Sequence, residues 1–118
     1  MKTLVLGASS NPERYSNKAI FSLLQHGHQV EAIGNKQDVA HGVTIHKELI
    51  RVPDIHTVTL YLNPKNQEIY YDYIVTLNPK RVIFNPGTEN RDLQELLRQN
   101  QIQFEEACTL VLLATHQY

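Results

Sequence analysis

Apolar residues in this chain fall into short continuous runs that alternate with longer stretches in which they recur every three or four positions. Lys2 to Leu6 is rich in strand formers, too short for a helix, and halts at Gly7, which predicts a buried parallel strand. Beyond the next loop, Ala19, Ile20, Leu23 and Leu24 recur at helical spacing, and Gly27 closes the pattern as a helix C-terminus. Gln29 to Ile33 is the second strand, closed by Gly34. The stretch from Gly34 to Gly42 is polar and predicts a loop, followed by a weak extended run from Val43 to Ile45. After Pro53-Asp54, the segment His56 to Leu62 places Val58, Leu60 and Leu62 among β-branched and aromatic residues, a third main strand. Asn63-Pro64 fits an N-cap with proline at the first helical position, and Ile69, Tyr70, Tyr73, Ile74 and Leu77 then share one helical face. Asn78-Pro79 ends it.

Arg81 to Phe84 reads as a further apolar strand, and Asn85-Pro86-Gly87 has the residue order of a type II turn. A helix with Leu93, Leu96 and Leu97 on one face stops near Asn100, Ile102 to Glu105 is a short last strand, and Cys108 to Ala114 is a mostly apolar helix. Strands alternating with amphipathic helices across short loops predict an α/β, Rossmann-like three-layer domain. Its mostly parallel sheet would have five to six strands, with helices on both faces. Without an internal repeat or a linker, residues 1–118 form one domain.

Composition narrows the function. A chain of 118 residues buries roughly two thirds of its unfolded surface, and 42% hydrophobic with 19% charged residues is a globular balance. No apolar run approaches the roughly 20 residues of a membrane span, and Met1 to Leu4 leads into too short a run for a signal peptide. The single cysteine, Cys108, rules out an internal disulfide and fits a reducing compartment, so a cytoplasmic location is expected. Cys108 itself is expected to be buried as a small apolar residue, although the head of a helix favours its thiolate. A net charge of -1 denies the broad basic field of a duplex nucleic acid binder. An anionic ligand therefore has to be held locally.

In such sheets ligands bind beyond the carboxyl ends of the strands, which directs attention to Gly7–Lys18, Gly34–Lys36, Asn63-Pro64 and Asn85–Glu89. The first of these begins Gly7-Ala8-Ser9-Ser10-Asn11-Pro12 and lacks the Gly-x-Gly-x-x-Gly dinucleotide fingerprint. Its serines add hydroxyl donors to backbone N–H groups, the positive end of the following helix lies behind them, and Arg14 and Lys18 add charge. Ser16 is expected to cap that helix. At the end of the second strand, where an NAD domain carries an acid for the ribose hydroxyls, this chain has Gly34-Asn35-Lys36. A lysine there suits a phosphorylated ribose, as in NADP or coenzyme A. The six histidines are scattered without metal-ligand spacing, and neither a Gly-x-Ser-x-Gly elbow nor a Walker lysine is present, so no catalytic residue and no metal ligand is assigned. Glu89 follows Thr88 at the mouth of the site, where its expected role is to favour the next helix dipole.

Together, Gly7 to Lys18 and Asn85 to Asn90 resemble the stand-alone CoA-binding domain proteins, a family similar to the CoA-binding half of the succinyl-CoA synthetase α subunit. The likeness runs from about Thr3 to Cys108. It implies that Gly7, Ala8, Ser9, Ser10 and Asn11 cradle phosphates while Tyr15, Ser16, Asn17 and Lys18 line the same mouth. Asn35 and Lys36 stand where the family has an Asn-Pro-Lys-like element near the adenosine, here without the proline and preceded by Gly34. Asn63 and Pro64 would cover the nucleotide where relatives carry Arg-Pro or Val-Pro, and Asn85, Pro86, Gly87, Thr88 and Glu89 would close the far side. In the synthetase, catalysis depends on a histidine of a further domain, so the resemblance implies a small-molecule nucleotide ligand, coenzyme A or an acyl-CoA, with no reaction attached. It names no protein partner. Two rivals stand beside it: a minimal NADP-dependent oxidoreductase or redox sensor, and a partner-binding regulatory module that has lost the ligand.

Overall fold

Along the first strand, β1 (Lys2–Leu6), Leu4 and Leu6 enter one apolar cluster and Val5 the other. The period-2 alternation of a strand thus divides the core into two layers, one on each side of the sheet. The computed structural model describes residues 1–118. Its remaining strands are β2 (Gln29–Ile33), β3 (Asp38–Ala40), β4 (Val43–His46), β5 (Thr57–Leu60), β6 (Arg81–Phe84) and β7 (Gln103–Glu106). The helices are α1 (Tyr15–Gln25), α2 (Pro64–Gln67), α3 (Tyr71–Leu77), α4 (Arg91–Gln99) and α5 (Thr109–Ala114). The seven strands run in the order β3-β4-β2-β1-β5-β6-β7. All pairings are parallel except β3 with β4. The chain builds outward from β1 through β2 and then crosses back to β5 on its other side. That reversal opens a crevice at the carboxyl ends of β1 and β5.

The larger cluster joins Leu4, Leu6, Val58, Leu60, Val82 and Phe84 to Ile74 of α3 and to Leu93 and Leu97 of α4. On the opposite face, Val5 and Ala32 pack with Ile20 and Leu23 of α1 and Leu113 of α5. That face also buries hydroxyls: Thr3, Thr57 and Thr59 are fully enclosed and hydrogen bonded to Tyr118, His56 and Thr109 respectively. The α1 terminus is a Schellman closure. Gly27 takes φ +82°, its N–H donates to the Leu24 carbonyl and the His28 N–H to the Leu23 carbonyl. Asn85-Pro86-Gly87 forms the expected turn, with φ +92° at Gly87 and the Thr88 N–H bonded to the Asn85 carbonyl at 3.0 Å.

The structure departs from the sequence pattern at four places. The expected loop from Gly34 to Gly42 contains β3, because His41 and Gly42, at φ 51° and 81°, make a two-residue hairpin that folds it antiparallel onto β4. This adds a strand to the expected sheet. Ser16 does not cap α1: the N-cap position is Arg14, and Ser16 is buried within the first turn. The turn that leads in, with the Arg14 N–H bonded to the Asn11 carbonyl, starts the helix earlier. The helix expected after Asn63-Pro64 is capped as expected, the Asn63 carboxamide accepting from the Asn66 N–H at 2.9 Å, but a 3-10 turn at Glu68–Tyr70 separates α2 from α3. That turn shifts the helical phase. Ile69 consequently leaves the buried face and is 77% exposed. Finally, Cys108 is only half-buried, at the N-cap position of α5.

Candidate functional site

The loop after β1 leaves the sheet at Gly7, where φ is +94° and an added Cβ would sit 3.0 Å from the Tyr61 carbonyl carbon. Both the Gly7 and the Ala8 N–H donate to the Ile33 carbonyl at 2.9 Å, so these two amides are used in holding the loop to β2. The second strand approaches equally closely. A Cβ on Gly34 would lie 2.3 Å from the Ala8 carbonyl oxygen, which only glycine avoids. Farther along, the Ser9 hydroxyl accepts from the Asn11 N–H and the Asn11 carboxamide accepts from the Glu13 N–H, a pair of side-chain turns that shape the loop. Asn17 is buried in α1. Its amide donates to the Ser9 carbonyl at 3.0 Å, and its oxygen accepts from His41 Nε2 at 2.7 Å.

With those bonds made, the N–H groups of Ser9, Ser10, Tyr15 and Ser16 donate to no acceptor in the chain. The Arg14 side chain makes no cap, and no acidic residue lies in the first turn of α1. The positive end of an 11-residue helix therefore points open amides at the crevice. The other long helix, α4, differs: Asn90 caps it by accepting from the Asp92 and Leu93 N–H groups.

A cavity of about 820 Å³ lies over this loop. Gly7, Ala8, Ser9, Arg14, Tyr15 and Ser16 line one side, Gly34 and Asn35 reach it from β2, and Pro86 and Thr88 from the β6 turn. A smaller cavity of about 230 Å³ adjoins it, shares Ala8, Ser9 and Asn35 with it, and adds Ser10, Asn11 and Lys36. The structure thus brings together most of the residues singled out from sequence. Asn17, Lys18, Asn63, Pro64, Asn85, Gly87 and Glu89 line neither cavity. Lys18 is exposed, with its ammonium 5.4 Å from the Tyr15 ring centroid. Glu89 sits outside the α4 cap, its carboxylate accepting from the Gly87 N–H at 2.9 Å. Asn85 is buried, donating to Thr59 Oγ1 and the Leu60 carbonyl and accepting from the Thr109 N–H.

The far wall was not singled out from sequence. Tyr61 and Leu62 continue past β5, and Lys65, Asn66, Glu68, Ile69 and Tyr70 follow on α2 and the 3-10 turn. The available signal was positional, since Lys65 follows directly on the Asn-Pro cap at a strand end. Gln67, fully buried, fastens that wall: its amide donates to the Leu62 and Thr88 carbonyls, both at 2.8 Å, and its oxygen accepts from the Asn90 amide. Arg14 and Lys65 give the larger cavity positive charge beside Glu68. In the smaller one, Lys36 Nζ lies 3.9 Å from the Asp38 carboxylate. That carboxyl is held below its usual range, first by the Ser10 hydroxyl beside it and then by the Val39 amide and Lys36. The Tyr61 hydroxyl is buried and makes no hydrogen bond, with the mutually bonded Thr59 and Thr109 hydroxyls nearby. Burial pushes it up to about 12. The chemistry on offer is recognition of anions and hydroxyls by amides, serines and a few charges.

Comparison with known proteins accords with this geometry. A family model described as CoA binding domain matches residues 1–114. No curated protein matches the chain. A solved structure of an uncharacterized protein is similar at 46% identity and a TM-score of 0.96, over 99% of this chain and 97% of that one. A hypothetical protein from Pyrococcus horikoshii OT3 is similar at 26% identity and a TM-score of 0.83, over 92% of this chain and 78% of its own. The dinucleotide forming acetyl-coenzyme A synthetase 1 of Ca. Korarchaeum cryptofilum shares the fold at 18% identity and a TM-score of 0.70, over 87% of this chain and 25% of that one. No helix is long and apolar enough to cross a membrane.

Proposed function

This chain belongs to the CoA-binding domain family, and from that premise we propose that it binds coenzyme A or an acyl-CoA in the crevice over the first loop and acts as a holder without a reaction of its own. The observation that carries the reading is the set of open N–H groups at Ser9, Ser10, Tyr15 and Ser16 where α1 begins. Backbone amides aimed from a helix N-terminus suit phosphate oxygens, and Arg14 and Lys65 on the same cavity supply matching charge. The adenosine would lie between the ends of β2 and β5, its 3′-phosphate toward Lys36, and the pantetheine arm would run across to Thr88. The titratable side chains on the larger cavity are Arg14, Lys65, Glu68 and three tyrosines. These bind and orient. A cytoplasmic location goes with the reading, since CoA and a lone thiol such as Cys108 are both at home in a reducing compartment.

Calorimetric titration with CoA, NADP and ATP tests it. Saturable heat with CoA and weaker binding of the other two is the expected result. Preference for NADP would move the chain to the oxidoreductase reading, and no heat with any nucleotide would leave the partner-binding one. A Ser9→Leu, Ser10→Leu double variant should lose CoA binding while its melt stays cooperative; unchanged affinity would remove the loop from the site.

A further inference from the structure

The end of β2 carries Gly34-Asn35-Lys36, with no acid, yet the hairpin returns one to the same place. Asp38 pairs with Ile45 across β3 and β4, and Ile45 pairs with Ala32 near the carboxyl end of β2. Asp38 therefore stands two strands from β2 at the level of its end, on the wall of the smaller cavity with Ser10, Asn35 and Lys36. Its orientation is set locally: one carboxylate oxygen accepts from the Val39 N–H at 2.8 Å, and the other faces Lys36 Nζ at 3.9 Å. Lys36 is 75% exposed, and an ion pair this long and this wet holds its partners weakly. A ligand can enter between them.

A carboxylate accepts hydrogen bonds and repels phosphate, whereas an ammonium does the reverse. Side by side in one small cavity, they match a sugar that presents a hydroxyl and a phosphate on neighbouring carbons. We propose that this cavity reads the ribose: Asp38 accepts the free hydroxyl while Lys36 takes the phosphate beside it. Resting on the CoA reading, this assigns the 2′-hydroxyl to Asp38 and the 3′-phosphate to Lys36, and makes the hairpin a specificity element for ribonucleotides phosphorylated next to a free hydroxyl. The larger cavity shares Ala8, Ser9 and Asn35 with this one, so a single ligand can run from ribose to pyrophosphate along the first loop.

The test is a calorimetric comparison of CoA, 2′-deoxy-CoA and dephospho-CoA on the wild-type chain and on Asp38→Ala, Asp38→Asn and Lys36→Ala. Wild type should bind CoA roughly tenfold more tightly than 2′-deoxy-CoA, the low end for a hydrogen bond to a charged group. In Asp38→Ala that ratio should fall toward one, and in Asp38→Asn, where the charged acceptor is lost, it should fall part of the way, while the preference over dephospho-CoA persists in both. Lys36→Ala should do the opposite, losing the dephospho-CoA discrimination and keeping the 2′-hydroxyl ratio. The half-buried edge position of Asp38 lets the variants fold, which a thermal melt verifies, and the asparagine variant keeps the acceptor for the Val39 amide. A ratio unchanged in the Asp38 variants, or tighter CoA binding once the carboxylate is gone, overturns the proposal and leaves the CoA reading standing. Wild-type protein that binds none of the three overturns both.

Discussion

Asn85 separates two roles that look identical in sequence, and its replacement by alanine tells them apart. At the carboxyl end of β6 it occupies a position where a ligand contact is expected, yet its side chain turns inward. The amide donates to Thr59 Oγ1 at 2.7 Å and to the Leu60 carbonyl at 2.9 Å, and the oxygen accepts from the Thr109 N–H at 2.9 Å. Alanine breaks all of these. The Thr109 N–H, at the first residue of α5, is then buried with no acceptor. Taking about 1 kcal/mol for each lost hydrogen bond and adding part of the desolvation cost of stranded groups gives a loss of about 3 to 4 kcal/mol. An unfolding entropy of about 2.1 cal/mol/K per residue over 118 residues is about 0.25 kcal/mol/K. The melt should therefore fall by about 12 to 16 °C. Far-UV circular dichroism gives the midpoint, and guanidinium unfolding with an unchanged slope confirms that stability rather than compactness has moved. CoA affinity, titrated well below the new midpoint, should stay within about threefold of wild type. A shift under about 4 °C, corresponding to about 1 kcal/mol on the same entropy, would refute the staple. So would a collapse of affinity in a protein that has kept its melting temperature, since that would make Asn85 a ligand contact.

Other substitutions probe the same framework. Gly34→Ala should destabilise by about 1 to 3 kcal/mol and abolish CoA binding, because its Cβ meets the Ala8 carbonyl oxygen at 2.3 Å and the loop has to move; a normal melt with normal titration would contradict that. Tyr61→Phe should raise stability by about 1 kcal/mol, since it removes a buried hydroxyl that has no partner, and a lower melting temperature would show that the hydroxyl is satisfied. Folding stability should also fall on acidification from pH 7 through 6.5. His28 and His56 are both held below their usual value, mainly by burial, with the N-terminal ammonium and Arg81 adding to it. The unfolded chain then binds more protons than the folded one between the lowered values and 6.5, so stability rises with pH across that window. Urea midpoints that do not change between pH 7.5 and 5 would count against it.

Legibility in the sequence followed the range of the interactions involved. Local chemistry was readable: Gly27 as a helix stop, Asn63-Pro64 as a cap, and Asn85-Pro86-Gly87 as a type II turn all act through their own backbone. The alternation of apolar runs and helical faces was likewise sufficient to place the crevice at the carboxyl ends of the strands. What escaped depends on pairing at a distance or on unusual residues. A hairpin turn of this type is signalled by Asn-Gly or Asp-Gly, and His41-Gly42 does not carry that signature, so β3 read as loop. Polar residues at a site edge posed the second difficulty. Nothing in sequence distinguishes Asn17 and Asn85, which bond to their own chain, from Ser10, which faces a cavity. The 3-10 turn at Glu68–Tyr70 was the third, because a small change of helical phase carried Ile69 from the expected core to the cavity rim.

The missed hairpin and the recognised loop prove to be one structural unit. His41, at the hairpin tip, donates to Asn17, and Asn17 donates to the Ser9 carbonyl, so the hairpin braces the backbone that presents the open amides. Gly34 lets β2 close against Ala8 from the other side, and the Ile33 carbonyl ties down the Gly7 and Ala8 amides. Preorganisation of this kind lowers the entropic cost of holding a phosphate, because the amides need not be gathered at the moment of binding. The same hairpin sets Asp38 opposite Lys36 at the rim of the smaller cavity. A slip of one residue in β3 would turn Asp38 to the other face of the sheet and withdraw His41 from Asn17 together. On the proposed reading, loop geometry and ribose recognition are coupled through one short strand, and a Gly42→Val variant, forced to occupy φ +81° with a β-branched side chain, should weaken both phosphate binding and the 2′-hydroxyl preference. Loss of only one of them, measured with CoA and 2′-deoxy-CoA, would show that the two are independent.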